Sequence, residues 1–451
     1  MNFQERLLHV IPGGVHTYSR GFDQFPSNAP QILVRGEGAY VWDPEGRRFL
    51  DYGMGLRSVT LGYGYPRVAE AACREIMKGN CLPRATTTEL EAAELIVDLI
   101  PSAEMVKFAK NGSNVTTAAA KVARAYTGRT LICVPRQQPF FSFDDWFIGS
   151  TVVKRGVPSP HSETTLLFDY GNIGSLKALF EAYPGKIAAV LMEPATTITP
   201  CAPTCSKVLT HESPCRECPS TGKNFLHEVQ SLCRESGTLF ILDEMITGFR
   251  WHLQGAQTYF GVEPDLSTFG KGMANGFSVA ALVGRREIMD VGSISTPGAE
   301  RTFLLSTTHG GEMSSLGAFI ETVKVYREKS VCEHHWHFGE KLRDGLLDLA
   351  KELGVAESFG IDGPAICMNY STRDGSGRTS LEFRTLFAQE MARHGVLMSW
   401  ISVSLSHGDS ELQMTLEAAR KSLKVYVNAL NDGVGRFLEG PAVKPVFRQF
   451  N

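Results

Sequence analysis

The sequence predicts an α/β protein: a large domain on a mainly parallel sheet, joined to a smaller α+β domain. Three observations lead there. Short apolar runs alternate with helical patterns through the middle of the chain, which is how a parallel sheet covered on both faces reads. The helical stretches at 114–127 and 224–236 are followed by Gly128 and Gly237, the residue that tolerates a left-handed stop. From about residue 320 the alternation gives way to longer helices with one strand-like piece, Pro364-Ala365-Ile366-Cys367-Met368-Asn369-Tyr370.

The first ten residues, Met1 to Val10, read as a short amphipathic helix ending before Pro12-Gly13-Gly14. They lack the long apolar stretch of a signal peptide. Residues 31–51 read as a hairpin: Gln31-Ile32-Leu33-Val34, Ala39-Tyr40-Val41-Trp42, a turn at Asp43-Pro44-Glu45-Gly46, then Arg48-Phe49-Leu50. The clearest buried strands are Thr130-Leu131-Ile132-Cys133-Val134, Ala188-Ala189-Val190-Leu191-Met192, Thr238-Leu239-Phe240-Ile241-Leu242 and Val279-Ala280-Ala281-Leu282-Val283. The expected division is 1–60 as an N-terminal segment packing with the small domain, 61–319 as the large domain and 320–451 as the small one.

Composition narrows the function. The 451 residues are 43% hydrophobic and 21% charged, with a formal net charge of −3. That balance suits a globular protein and offers no basic face for nucleic acid or anionic membrane. No apolar run is long enough to span a bilayer, so the expected address is the cytoplasm and the expected chemistry acts on small molecules. Of the 10 cysteines, Cys73, Cys81, Cys133, Cys233, Cys332 and Cys367 read as buried reduced thiols.

Open α/β sheets bind ligands beyond the carboxyl ends of their strands, and four signals fall where such loops belong. Asn111-Gly112-Ser113-Asn114 opens a helix; Ser113 and Asn114 could cap it while its free amides face an anion. Leu242-Asp243-Glu244 ends a hydrophobic strand in two carboxylates, ahead of Met245-Ile246-Thr247-Gly248-Phe249-Arg250. Phe269-Gly270-Lys271-Gly272-Met273-Ala274-Asn275-Gly276 sets a lysine between two glycines. Ser306-Thr307-Thr308-His309-Gly310-Gly311-Glu312 is a hydroxyl-rich turn before another helix. Singly, each also fits a plain capped helix, a solvated lysine or an ordinary turn.

Together they resemble the class III aminotransferases, in the branch similar to glutamate-1-semialdehyde 2,1-aminomutase. The likeness spans nearly the whole chain: Ile11-Pro12-Gly13-Gly14-Val15, Gly36-Glu37-Gly38-Ala39, Asp43-Pro44-Glu45-Gly46, Ala123-Arg124-Ala125-Tyr126-Thr127-Gly128-Arg129, Met192-Glu193-Pro194 and Gly440-Pro441-Ala442 all take part. The resemblance implies a fold-type I transferase, with a mainly parallel seven-stranded-type sheet and pyridoxal 5′-phosphate as cofactor. It implies that Lys271 carries the cofactor and then, as a free amine, moves a proton between the substrate Cα and the cofactor's C4′. A free lysine titrates near 10.4, so its surroundings must favour the neutral amine during that step. Asp243 would pair with the cofactor's ring nitrogen and keep it protonated. Gly112, Ser113 and Asn114 would hold the phosphate. Thr308 would reach the phosphate of a neighbouring subunit, making a homodimer part of the site. Arg20 aligns with the arginine that binds a substrate carboxylate, a task suited to a bidentate guanidinium.

The pattern departs from the family at Phe140-Phe141-Ser142-Phe143-Asp144-Asp145-Trp146, where relatives usually read Tyr-His-Gly-Trp-Asp-Asp-Trp. In that register Phe140 stacks on the cofactor without a hydroxyl, Phe141 replaces a histidine, and Asn114 stands where many members carry a carboxylate. A second departure is the insertion at 199–222, with Cys201, Cys205, Cys215 and Cys218 as CxxxC and CxxC. Four thiolates so spaced suit a structural zinc.

The expected reaction is transfer of an amino group from a small amino acid to a separate carbonyl acceptor (a sugar, a keto acid or an intermediate of specialised metabolism). An aminomutase, moving the group within one molecule, is the enzymatic alternative. True mutases resemble Gly-Gly-Gly-Leu-Pro after the lysine, where this chain reads Gly272-Met273-Ala274-Asn275-Gly276. A catalytically dead fold serving as a binding protein is the remaining alternative, opposed by the presence of both Asp243 and Lys271.

Overall fold

The computed structural model describes residues 2–201, 222–295 and 297–451. The chain forms two compact bodies: Met1–Tyr65 with Glu333–Arg448, and Pro66–Cys332 with Gln449–Asn451.

The second body is built on seven strands: β1 (Met105–Ala109), β2 (Leu131–Pro135), β3 (Thr165–Phe168), β4 (Ile187–Met192), β5 (Leu239–Glu244), β6 (Leu266–Phe269) and β7 (Ala280–Gly284). Their order across the sheet is β1-β7-β6-β5-β4-β2-β3. The pairs β2 with β3, β2 with β4, β4 with β5 and β5 with β6 are parallel. Strand β7 alone runs against its neighbours β1 and β6. The sequence placed β7 correctly but said nothing of its direction, because a fully buried strand reads as the same apolar run either way. Every residue of β4, β5, β6 and β7 is buried.

The helices are α1 (Pro66–Met77), α2 (Thr87–Leu99), α3 (Gly112–Thr127), α4 (Ile173–Ala182), α5 (Phe225–Glu235) and α6 (Met313–Lys329), besides shorter turns. Helix α3 buries Val115, Ala118, Ala119, Val122 and Ala123. Its small residues let it lie close on the sheet, in one core with Ile132, Ala189, Ile241 and Leu282. It ends at Gly128, whose φ of +66° is the left-handed stop expected from sequence. Helix α6 runs unbroken through residue 320 and packs on α1.

In the other body, Arg35–Glu37, Tyr40–Trp42 and Arg48–Asp51 form an antiparallel meander, and Val396–Leu397 adds a parallel fourth strand. The first strand begins at Arg35; Gln31–Val34 lies outside it. Two long helices, Val331–Glu352 and Asp409–Asp432, share a core of Tyr52, Leu342, Leu346, Phe359, Phe387 and Tyr426. The strand-like piece at 364–370 divides: Ala365–Cys367 is a 3-10 turn, and Asn369–Thr372 pairs with Phe359–Asp362. No helix among the described residues is long and apolar enough to cross a membrane.

Two of the thiols expected to be buried, Cys73 and Cys81, are exposed. Cys73 falls on the outer face of α1, whose buried side is Val68, Ala71, Ala72 and Glu75. Cys81 follows the helix in an exposed turn, where its Sγ donates to the Thr308 carbonyl at 3.5 Å.

Candidate active site

Strands β5 and β6 are parallel neighbours, and their register sets Asp243 opposite Thr268. Asp243, 3% exposed, accepts two hydrogen bonds on Oδ1: from the Met245 amide at 3.0 Å and the Thr268 hydroxyl at 3.0 Å. Among the described residues none hydrogen-bonds to Oδ2. Burial raises the carboxyl from its ordinary 3.8 to about 6, against the Met245 amide, the Lys271 ammonium and the Thr268 hydroxyl, which all hold it down. Lys271 follows β6 by two residues, opening a 3-10 turn that runs to Ala274. It is half-buried and left-handed, with φ of +40°. A side chain in that region costs about 1 kcal/mol or more, and such strain gathers at functional sites.

Met245 draws three loops together. A Cβ on Gly270 would lie 2.6 Å from Met245 Sδ, and one on Gly112 would lie 3.0 Å from it. Both glycines are therefore needed for close approach, one before the lysine and one at the start of α3. The sequence singled out these glycines but not the methionine between them.

The cap of α3 differs from the expectation. Asn111, not Ser113 or Asn114, is the N-cap, and its side chain accepts from the Asn114 amide at 3.1 Å. The Gly112 and Ser113 amides, the first two of the helix, have no intrahelical acceptor. Ser113 is buried, and its Oγ accepts from the Phe143 amide at 3.1 Å. That leaves the hydroxyl proton to point elsewhere. The aromatic loop is stitched to the same helix. Thr116 Oγ1 donates to the Phe141 carbonyl at 2.7 Å, Thr117 Oγ1 meets Ser142 Oγ at 2.9 Å, and Trp146 Nε1 donates to Thr117 at 2.8 Å. Phe141, in the histidine position, is 2% exposed and packs edge-on against Phe147, while Phe140 is 46% exposed. An apolar ring there is held by core packing and supplies no proton.

Glu244, beside Asp243, has a different task. It is fully buried and accepts from Thr247 Oγ1, the Ala256 and Gln257 amides and the Gln257 side chain, at 2.6 to 3.3 Å. The donors are Thr247 in the loop after β5 and the first two residues of the short helix Ala256–Phe260, so this carboxylate ties the loop and that helix to the strand end. Gln138, which sequence reading passed over, exchanges two hydrogen bonds with the Glu193 backbone at 2.9 and 2.8 Å.

Thr308 is exposed at the turn before α6. Its neighbour Thr307 has a buried hydroxyl with no partner among the described residues. Arg20 is exposed in the other body, on a 3-10 turn over Tyr18–Arg20. The cysteine expectation falls largely outside the described residues, which hold Cys201 but not Cys205, Cys215 or Cys218; among those described, no group of metal-ligating side chains assembles.

A family model described as aminotransferase class-III matches residues 23–170 and 219–401. The chain belongs to that family. Class III relatives include glutamate-1-semialdehyde 2,1-aminomutase of Alkaliphilus oremlandii, 31% identical over 432 residues that cover 93% of this chain and 96% of the relative. The 3-aminobutyryl-CoA aminotransferase of Cloacimonas acidaminovorans is also 31% identical, over 94% and 96% of the two chains. Among solved structures, the pyridoxal-phosphate form of the FumI protein of Sphingopyxis sp. MTA144 superposes with a TM-score of 0.82 at 25% identity, covering 95% of this chain and 97% of that one. The α/β fold is thus the fold-type I architecture of pyridoxal-phosphate-dependent transaminases, and the chain is an enzyme of a class III family whose members are aminotransferases and aminomutases. The residues fit that cofactor. Asp243 offers a carboxylate whose hydrogen bonds from the Met245 amide and the Thr268 hydroxyl both end on Oδ1, α3 offers two first-turn amides and a hydroxyl, and a strained lysine lies near enough to Asp243 to influence its charge.

Proposed function

We propose that this class III enzyme is an intermolecular aminotransferase, moving an amino group from a small amino acid to a separate carbonyl acceptor in two ping-pong halves. The observation carrying this reading is the segment after the lysine. It reads Gly272-Met273-Ala274-Asn275-Gly276, with Met273 and Ala274 fully buried and Asn275 left-handed at φ of +45°. The segment thus carries buried side chains at Met273 and Ala274 and departs from the Gly-Gly-Gly-Leu-Pro pattern that true mutases resemble.

Bound pyridoxal phosphate supplies an electron-withdrawing ring that makes a proton on the substrate Cα removable. Asp243 would pair with the ring nitrogen and keep it protonated. Lys271 would anchor the cofactor through Nζ and, as a free amine, would take up and return the Cα proton. The Gly112 and Ser113 amides at the α3 N-terminus bind the phosphate, where the helix dipole favours an anion. The Ser113 hydroxyl donates to it as well, because its oxygen is already occupied by the Phe143 amide. Asn114 contributes less, since its amide belongs to Asn111. By the family resemblance, Phe140 would cover one ring face and Arg20 would bind the donor's carboxylate. Thr307, whose buried hydroxyl has no partner among the described residues, is a better phosphate donor than the exposed Thr308. The functional unit is a homodimer in which this turn serves the second copy. The cysteines of 199–222 bind one structural zinc.

The aminomutase reading is favoured by one observation, the 31% identity to glutamate-1-semialdehyde 2,1-aminomutase. Mixing holoenzyme with an amino donor alone distinguishes the two. Intermolecular transfer releases one equivalent of keto acid and leaves the cofactor in its amine form, ready for an acceptor. If no donor does this while glutamate-1-semialdehyde is isomerised without an acceptor, the chain is a mutase.

A further inference from the structure

The lysine that follows β1 is not one of the residues the family pattern singles out. Lys110 sits directly before Asn111, the cap of α3, and its backbone carbonyl is fixed by the Ser278 hydroxyl at 2.6 Å. Its ammonium reaches the end of the hydroxyl-rich turn, where it pairs with Glu312 and donates to Ser315 Oγ at 3.0 Å. Both partners of the pair keep about a quarter or less of their side-chain surface exposed, 22% for Lys110 and 25% for Glu312.

Glu312 could do this only because it is relieved of an ordinary duty. It stands at the N-cap of α6, yet its side chain caps nothing there. The helix is capped from a distance by Asn80, whose carbonyl accepts from the Met313 amide at 2.8 Å and whose Oδ1 accepts from the Ser314 amide at 3.0 Å. Asn80 Nδ2 also donates to Glu312 Oε1 at 2.9 Å. Asn80 holds a left-handed φ of +51° to make all three contacts, a strained conformation that persists where the surroundings over-determine it. The result is a clamp: the turn bearing Thr307 and Thr308 is bolted to the segment that opens the amides of α3.

We propose that Lys110 and Glu312 are a positioning pair for the two cofactor phosphates of the homodimer, holding the threonine turn that serves the second copy against the segment that opens this chain's own amide cradle at residues 111–114. This rests on the cofactor reading above and goes beyond it, since neither side chain touches the phosphate. A charge pair is suited to the task because it sets distance and direction between two loops that share no strand or helix.

The test uses the full-length protein, stripped of cofactor and titrated separately with pyridoxal phosphate and with pyridoxal, which lacks the phosphate. Lys110→Met and Glu312→Gln should each weaken pyridoxal phosphate roughly tenfold, the low end of what removing an outer partner of a ligand site costs. Pyridoxal should bind them as it binds wild type. The charge-swapped pair, Lys110→Glu with Glu312→Lys, should recover most of the loss. Equal weakening of both compounds would make the pair merely structural and end the proposal, as would no weakening of either. Tighter binding by Glu312→Gln alongside weaker binding by Lys110→Met would show that Lys110 meets the phosphate itself. Failure of wild type to take up pyridoxal phosphate would overturn the cofactor reading instead, so the two failures are distinct.

Discussion

Replacing Asp243 by asparagine should separate what this carboxylate does for the cofactor from what it does to the fold. In the cofactor-free protein its carboxyl titrates near 6 instead of 3.8, burial being the chief cause. The folded protein therefore holds a proton that the unfolded chain has lost between those values, and stability falls as pH rises through that window. The rise from 3.8 to about 6 corresponds to about 3 kcal/mol lost above pH 6. Asparagine carries no charge to bury, and its Oδ1 can accept the same bonds from Met245 and Thr268. Its amide N–H then lies unpaired where Oδ2 was, which returns part of the gain, so about 2 kcal/mol should remain. At pH 8 the stripped variant should melt roughly 2 °C above stripped wild type, and the difference should shrink toward pH 4. Addition of pyridoxal phosphate should reverse the order, because only the carboxylate can pair with a protonated ring nitrogen. Thermal unfolding of both proteins across pH, with and without cofactor, checks each step. A stripped variant less stable than wild type at pH 8, or a gain independent of pH, would refute the burial argument.

Other expectations follow from the same geometry. Glu244→Ala should cost about 4 kcal/mol in urea unfolding, since it orphans the buried amides of Ala256 and Gln257. Gly270→Ala should weaken cofactor binding, because its added Cβ would fall 2.6 Å from Met245 Sδ and push it away, and adding Met245→Ala should restore part of it. Arg20→Ala should raise the KM of a carboxylate-bearing donor and leave cofactor absorbance unchanged; identical half-reaction kinetics would remove Arg20 from the site. Metal analysis of protein purified without added zinc should find one zinc per chain, and four freely titratable thiols in the 199–222 insertion would exclude it.

Much of this protein was legible from local pattern. Apolar runs bounded by turn residues give the strands β2, β4, β5 and β7 within a residue or two, and Gly128 marks the end of α3, because these signals act over a few residues. The acidic strand end at Asp243 and the glycine-flanked Lys271 were visible for the same reason. Tertiary structure decided what depends on partners distant in sequence. The direction of β7 is set by its neighbours β1 and β6, and Thr268 becomes Asp243's partner only through the register of β5 on β6. The cap of α3 fell to Asn111 and that of α6 to Asn80, 233 positions before Met313, since an orphan amide bonds to whichever acceptor the fold brings near. Lys110 and Glu312 are ordinary charges in the sequence; only the packing of α6 beside the end of β1 makes them a pair.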